Sequence, residues 1–242
     1  MDLSTAHVLV TGGGTGIGRA TAELLARRGA RVAVSGRRRD VLERAAAELS
    51  EAAGAPVVAV AGDVSVEADA ARMVAEAAEQ LGGYDTLVNN AGLGRHAALV
   101  DVTADDMRRV WETNVLGATL VARESARRFV AQRRGNIVNV ASTAGSRGYP
   151  GGSAYASTKF ALSGLTECWR AELRPHGVRV MQVNPSEVIT PFFEAAGMGP
   201  RPDNPTKLHP EDIAHVIASV LALDDRGFVT EATVFATNPR DA

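Results

Sequence analysis

The sequence predicts a doubly wound α/β fold: a mostly parallel sheet of about seven strands with helices on both faces, in a single domain. The prediction rests on three observations. Short β-rich runs alternate with helical periodicities along the whole chain, an order that builds parallel sheets through right-handed crossovers. The first of these runs breaks into a glycine-rich turn before the first helical pattern. Strand-like runs then end in amides or hydroxyls, and in open α/β sheets strand ends are where ligands sit.

In chain order, HVLVT is strand-like and gives way to GGGTGIG and then to RATAELLARRG, a helical pattern that stops at Gly29. Gly12, Gly16 and Gly18 allow a tight turn and a close backbone approach to a pyrophosphate, whose charge suits the N–H groups and dipole of a helix start. The spacing TGxxxGxG is neither GxGxxG nor a P-loop, which needs a following GK[ST]. Glycine clusters are also simple punctuation, but a position between first strand and first helix favours a nucleotide site. RVAVSGRRRD is a second strand entering a basic turn. No acid precedes Asp40 to accept from the free ribose hydroxyl of NAD; Ser35, Arg37 and Arg38 offer a hydroxyl and two guanidinium groups suited to the 2′-phosphate of NADP. The plainer alternative is a solvated charge run at a helix start.

The alternation continues through RRDVLERAAAELSEAAG, the strand PVVAVAGDV, a helix over 67–81 and the strand YDTLVNNAG. Asp63 either accepts from an adenine amino group or closes an Asx-type turn. Asn89 and Asn90, followed by Ala91 and Gly92, either knit neighbouring strands or face a cofactor, and the two roles can coexist. A long helical segment over 103–132 contains Asn114; a mid-helix Asn competes for backbone groups, which suggests a polar duty such as holding a water.

GNIVNVAS reads as a buried strand ending at Ser142, and YASTK sets Tyr155 and Lys159 one turn apart on a helix over 153–174. Phenol and ammonium on one helix face can act on one bound molecule. A neighbouring positive charge favours phenolate, and moving a tyrosine pKa from about 10 towards 7 takes roughly 4 kcal/mol. The plainer reading is an amphipathic helix that happens to contain YASTK. After the sixth strand, VRVMQVN, residues 186–209 show little periodicity and read as a mobile substrate loop or lid. The helix PEDIAHVIASVLAL and a last β-rich run, FVTEATVFAT, close the chain.

Composition narrows the classes of function. Charged residues are 22% and the net charge is -2, so there is no electrostatic case for nucleic acid or an anionic membrane as partner. The single Cys168 excludes an intramolecular disulfide and is expected as a small core residue; a reducing cytoplasm fits. The first residues lack a basic n-region and a long apolar run, so neither a signal peptide nor a membrane span is expected. His7, His96, His176, His209 and His215 show no HExxH or Cys/His spacing, and no metal site is expected.

Together these residues resemble the short-chain dehydrogenase/reductases, in their compact single-domain branch, over nearly the whole chain. TGGGTGIG resembles the family's cofactor glycine motif and NNAG its fourth-strand motif, while Asn114, Ser142, Tyr155 and Lys159 fall where its catalytic tetrad does. The resemblance implies a Rossmann-type oxidoreductase that interconverts a ketone or aldehyde and an alcohol, and the basic turn at Arg37 and Arg38 favours NADP(H) over NAD(H) as its cofactor. It implies that Tyr155 donates the proton and Ser142 orients the carbonyl oxygen. Lys159 would bind the nicotinamide ribose and depress the Tyr155 pKa, and Asn114 would hold a relay water. Cofactor contacts are implied at Gly12, Thr15, Gly16, Ile17 and Gly18, at Asn90, Ala91 and Gly92, and at Pro185. Asp63 and Val64 would contact adenine, and Val188 and Thr190 the carboxamide. A homodimer or homotetramer is implied. A 3-oxoacyl-thioester reductase, with Arg133, Arg134 and Arg174 meeting an acidic carrier protein, is an alternative; a non-catalytic NADP-binding sensor is another. The chain departs from the family pattern at Pro185-Ser186, commonly Pro-Gly, and at the ending TNPRDA, which lacks the usual Gly-Gly.

Overall fold

The computed structural model describes residues 1–200, 202 and 204–237. Its strands are His7–Thr11 (β1), Arg31–Gly36 (β2), Val57–Ala61 (β3), Thr86–Asn89 (β4), Gly135–Val140 (β5), Val178–Pro185 (β6) and Glu231–Val234 (β7). They form one seven-stranded sheet in the order β3-β2-β1-β4-β5-β6-β7, with every pairing parallel. The helices are Gly16–Arg27 (α1), Arg39–Ala53 (α2), Glu67–Leu81 (α3), Ala104–Trp111 (α4), Ala118–Gln132 (α5), Ser153–Leu173 (α6), Phe192–Ala195 (α7) and Pro210–Ala222 (α8).

The two-residue side-chain period of a strand divides the core into two layers. Val8 and Val10 of β1 face Leu25 of α1, Leu49 of α2 and Ile213 and Ile217 of α8. Leu9, between them, faces the opposite layer, where Met73 of α3 and Phe129 of α5 are buried with Leu87 and Ile137. Each such aliphatic side chain contributes roughly 1.5–3 kcal/mol by leaving water. The strand order reverses between β1 and β4, so their carboxyl ends diverge into the crevice where doubly wound folds bind ligands.

The helical segment expected over 103–132 is divided into α4, a π-helical stretch Glu112–Gly117 and α5. The wider π turn brings Asn114 inside, where it is buried, and lets Gly117 lie against Val64: a Cβ there would stand 2.7 Å from Val64 Cγ2. Cys168 is exposed rather than in the core. The buried row of α6 runs Ala154, Thr158, Leu162, Thr166, and two residues beyond Thr166 the helix has turned about 200°, to the solvent side. Residues 186–209 have an ordered base. Val188 bridges Leu208, Ile189 N donates to Leu208 O (2.9 Å), and Lys207 pairs with Glu187 (3.2 Å). The ending TNPRDA lies, from Asn238 onward, outside the described residues. Among the described residues no helix is long and apolar enough to cross a membrane, and no group of His, Cys, Asp and Glu is placed to hold a metal ion.

α1 starts hard against the glycine turn. A Cβ on Gly18 would run into Gly12 O and stand 2.5 Å from Asn90 Nδ2. Gly18→Ala is therefore expected to overpack the junction and lower stability by roughly 1–3 kcal/mol. A urea-unfolding midpoint equal to that of the parent protein would show that the turn yields instead.

Candidate active site

A cleft of about 1180 Å³ opens at the carboxyl ends of the strands, from Ser35 and Arg37 at one end, past the glycine turn, to Tyr155 and α7 at the other. A side-chain clasp shapes its floor. Thr11 Oγ1, at the end of β1, accepts from Asn90 N (2.9 Å) and Ala91 N (3.0 Å), while Asn90 Nδ2 donates to Thr11 O (2.9 Å) and Gly12 O (3.3 Å). Asn89 points the other way, its Nδ2 donating to Ala118 O (2.9 Å) and Asn139 Oδ1 (3.2 Å). One amide thus ties the glycine turn to β4, and the other ties β4 to β5 and α5.

The glycine turn and the Ser35–Arg38 end of the cleft are placed where a dinucleotide would fit. Thr15 makes no side-chain cap, so the first N–H groups of α1 have no side-chain acceptor, and Thr15, Gly16 and Ile17 line the cleft. Gly18 does not line it; its lack of a side chain serves the packing of α1 on Gly12. Ser35 is 1% exposed, and among the described residues its buried hydroxyl has no hydrogen-bond partner. Arg37 and Arg38 line the same end, with Arg37 Nη1 3.8 Å from Asp63 Oδ2. Asp63 Oδ1 closes an Asx-type turn, accepting from Ser65 N (3.0 Å) and Ser65 Oγ (2.7 Å), while its other oxygen faces Arg37. Val64, Asn90, Ala91, Gly92, Pro185, Val188 and Thr190 also line the cleft. Ser186 N donates to Val234 O (2.9 Å), so the residue after Pro185 is held by the last strand.

At the far end, β5 delivers Ser142 and α6 delivers Tyr155 and Lys159 to the same wall. Burial pushes the Tyr155 phenol well above its ordinary value; a hydrogen bond with Ser142 pulls it down, and Tyr149 pushes it further up. Burial pulls Lys159 down to about 8. Its Nζ donates to Val140 O (2.8 Å) and lies 5.6 Å from the Tyr155 ring centroid. Asn114 stands behind this wall. Its Nδ2 donates to Leu93 O (2.8 Å) and Thr158 Oγ1 (3.0 Å), and its Oδ1 accepts from Leu93 N (2.7 Å). Both amide protons are engaged, which leaves one lone pair of Oδ1 for a water.

One residue at this end was not singled out from the sequence. Thr158, inside YASTK, links Asn114 to Tyr155 by donating to Tyr155 O (2.7 Å); its spacing of three from Tyr155 was the available signal. Phe192 of α7 lies 5.2 Å from the Tyr155 ring at 58° and covers it. Its seat is Gly94, where a Cβ would stand 2.6 Å from Phe192 Cζ. Nothing local in the sequence marks that contact.

The family model for short chain dehydrogenases matches residues 6–199. The chain belongs to the short-chain dehydrogenase/reductase family. This short-chain dehydrogenase/reductase is 40% identical to the L-2,3-butanediol dehydrogenase of Corynebacterium glutamicum over 190 residues, 77% of this chain and 73% of the relative. Among solved structures it is similar to an alcohol dehydrogenase from the archaeon Thermococcus sibiricus complexed with 5-hydroxy-NADP, with a TM-score of 0.87 and 28% identity, covering 97% of this chain and 98% of that one. It is also similar to a family member from Burkholderia phymatum in complex with NAD, with a TM-score of 0.85 and 29% identity, covering 96% and 90%. The chain is accordingly an oxidoreductase of the dehydrogenase/reductase type, with the Rossmann-type fold of that family.

Proposed function

We propose that this short-chain dehydrogenase/reductase interconverts a ketone or aldehyde and an alcohol with a nicotinamide cofactor, preferring NADP(H). The observation that carries the reading is the convergence of Ser142, Tyr155 and Lys159 on one wall of a cleft that also runs past the glycine turn. The nicotinamide complexes of the Thermococcus and Burkholderia proteins support the cofactor class. When bound, the cofactor supplies hydride for reduction or takes it for oxidation. In reduction, the Tyr155 hydroxyl gives its proton to the carbonyl oxygen while Ser142 holds that oxygen; in oxidation the phenolate takes the proton back. Lys159 keeps an ammonium group behind the ring, and Asn114 and Thr158 brace the helix that carries both. Residues 186–209 are the substrate loop, and Phe192 within it shields Tyr155 from water.

The preference for NADP(H) rests on Arg37 and Arg38, which line the cleft beside Ser35. A carrier-protein substrate gains no support from Arg133, Arg134 and Arg174. They lie at the amino ends of β5 and β6, opposite the cleft, with Arg133 donating to Pro175 O and Arg134 near Asp85. The test is a screen of ketones and aldehydes with NADPH, following loss of its absorbance. NADPH binding without consumption across the screen would favour the sensor reading.

Lys159→Ala tests the electrostatics. A charge within a few ångströms of a phenolate, at an effective dielectric of about 20, contributes roughly 3 kcal/mol, or about two pH units. Removing it raises the Tyr155 pKa, so the rising limb of alcohol oxidation should move to higher pH while NADP binding weakens. In the parent protein the ammonium persists below about pH 8 and fades above it. Weaker binding with an unmoved pH profile would leave Lys159 as a ribose ligand only.

A further inference from the structure

The cleft wall carries cations at both ends, and one of them has no role in the reading above. Arg37 and Arg38 belong to the adenosine end, Lys159 is buried behind Tyr155, and Lys207 pairs with Glu187. That leaves Arg147, on the segment that follows Ser142. The turn Thr143–Gly145 is tight, closed by Gly145 N donating to Ser142 O (2.9 Å) and Ser146 N donating to Thr143 O (3.2 Å), and Arg147, which follows it, lines the cleft that Ser142 also lines. Its guanidinium lies 5.8 Å from the centroid of the Phe235 ring, a cation–π contact that orients it. Among the described residues it has no carboxylate within ion-pair distance.

Its surroundings are sorted by polarity. Ala144, Phe192, Phe193 and Met198 contribute apolar surface to the same cleft, while Arg147 itself is exposed. On the other side a polar cavity of about 340 Å³ shares Ser142, Thr143, Arg147 and Phe235 with the cleft. Among the described residues, the other ionisable groups lining this region are His96, Tyr149, Glu187 and Lys207 in the cleft, and Glu167, Arg170 and Glu231 in the polar cavity. Arg170 donates to Val180 O and Thr230 O, and Glu231 accepts from Asn184 Nδ2. Arg147 is thus an exposed guanidinium, oriented by Phe235 and without an ion-pair partner among the described residues, that lines the same cleft as Ser142 and Tyr155.

We propose that the substrate carries a carboxylate close to its reacting carbonyl and that Arg147 binds it. One planar fork matches one planar carboxylate through two N–H···O bonds. The carbonyl oxygen then meets Ser142 and Tyr155, and the apolar part of the molecule meets Phe192, Phe193 and Met198. This proposal rests on the oxidoreductase reading, naming a substrate class for the same site.

The test compares acetoacetate and longer 3-oxo acids, each against its methyl ester, with NADPH as reductant. In the parent protein the acid should exceed the ester in kcat/KM, and Arg147→Gln should lower the acid-to-ester ratio by about tenfold or more, chiefly through KM. Arg147→Lys, which keeps the charge and loses the fork, should fall between. An unchanged ratio, or an equal loss for acid and ester, overturns the proposal. Titrating the protein–NADPH complex with the same pairs, followed by NADPH fluorescence, reads the contact without turnover. An affinity advantage of acid over ester that vanishes in Arg147→Gln supports the proposal, and its absence in the parent protein overturns it. Failure to reduce any carbonyl counts against the oxidoreductase reading, whereas reduction with no effect of charge counts against Arg147 alone.

Discussion

Tyr155→Phe is expected to lower turnover about 100- to 10,000-fold, the usual cost of losing a positioned general acid. The substitution deletes one oxygen and keeps the ring, so the contact with Phe192 at 5.2 Å and the packing of α6 should survive. NADPH affinity should therefore change little, and the loss should fall on kcat rather than on cofactor binding. The loss should also resist pH: a parent protein recovers activity as its phenol titrates, but the variant has no group there to titrate. A variant keeping more than about a tenth of parental turnover would remove Tyr155 from the role of proton donor.

The second large effect expected is reversal of cofactor preference by Gly36→Asp combined with Arg37→Ala. NADP differs from NAD by the 2′-phosphate, and each charge-assisted hydrogen bond to that group contributes roughly 1.5–3 kcal/mol. One such bond makes a preference of about tenfold or more, since 1.4 kcal/mol is a decade in affinity. The fold has room for the exchange. A Cβ on Gly36 would meet only Leu42 Cδ1 at 3.5 Å, an ordinary contact, and the main-chain bond from Gly62 N to Gly36 O (3.1 Å) does not involve the side chain. The new carboxylate would accept from the free 2′-hydroxyl of NAD and repel the phosphate of NADP. Removing Arg37 also releases Asp63, 3.8 Å from it, which adds a second repulsive charge at the same end. The ratio of kcat/KM for NADPH to that for NADH, in parent and double variant, is the measurement. A parent protein that prefers NADH, or a ratio unmoved by the double substitution, would reduce the basic turn to a solvated helix start.

Much of this was legible in the sequence because it is carried by local pattern. Alternating β-rich runs and helical periodicities determined the parallel sheet and its two covered faces, and TGxxxGxG between the first strand and first helix marked a turn that lines the cleft. Tyr155 and Lys159 were readable as a pair because i and i+4 share a helix face whatever the rest of the chain does. What only the tertiary structure decided depends on contacts between segments distant in sequence. Gly18 and Asn90 are 72 positions apart, yet the absence of a Cβ on one makes room for the amide of the other. Asn114 looked like a poor mid-helix residue until a π turn carried it to Leu93 and Thr158. Cys168 followed an apolar row by composition but sits on the solvent side of α6, since which face of a long helix is buried is set by the elements packed against it. Arg147 was one arginine in a loop; its guanidinium acquires meaning from Phe235 beneath it and Ser142 beside it, residues that the chain supplies from two different strand ends.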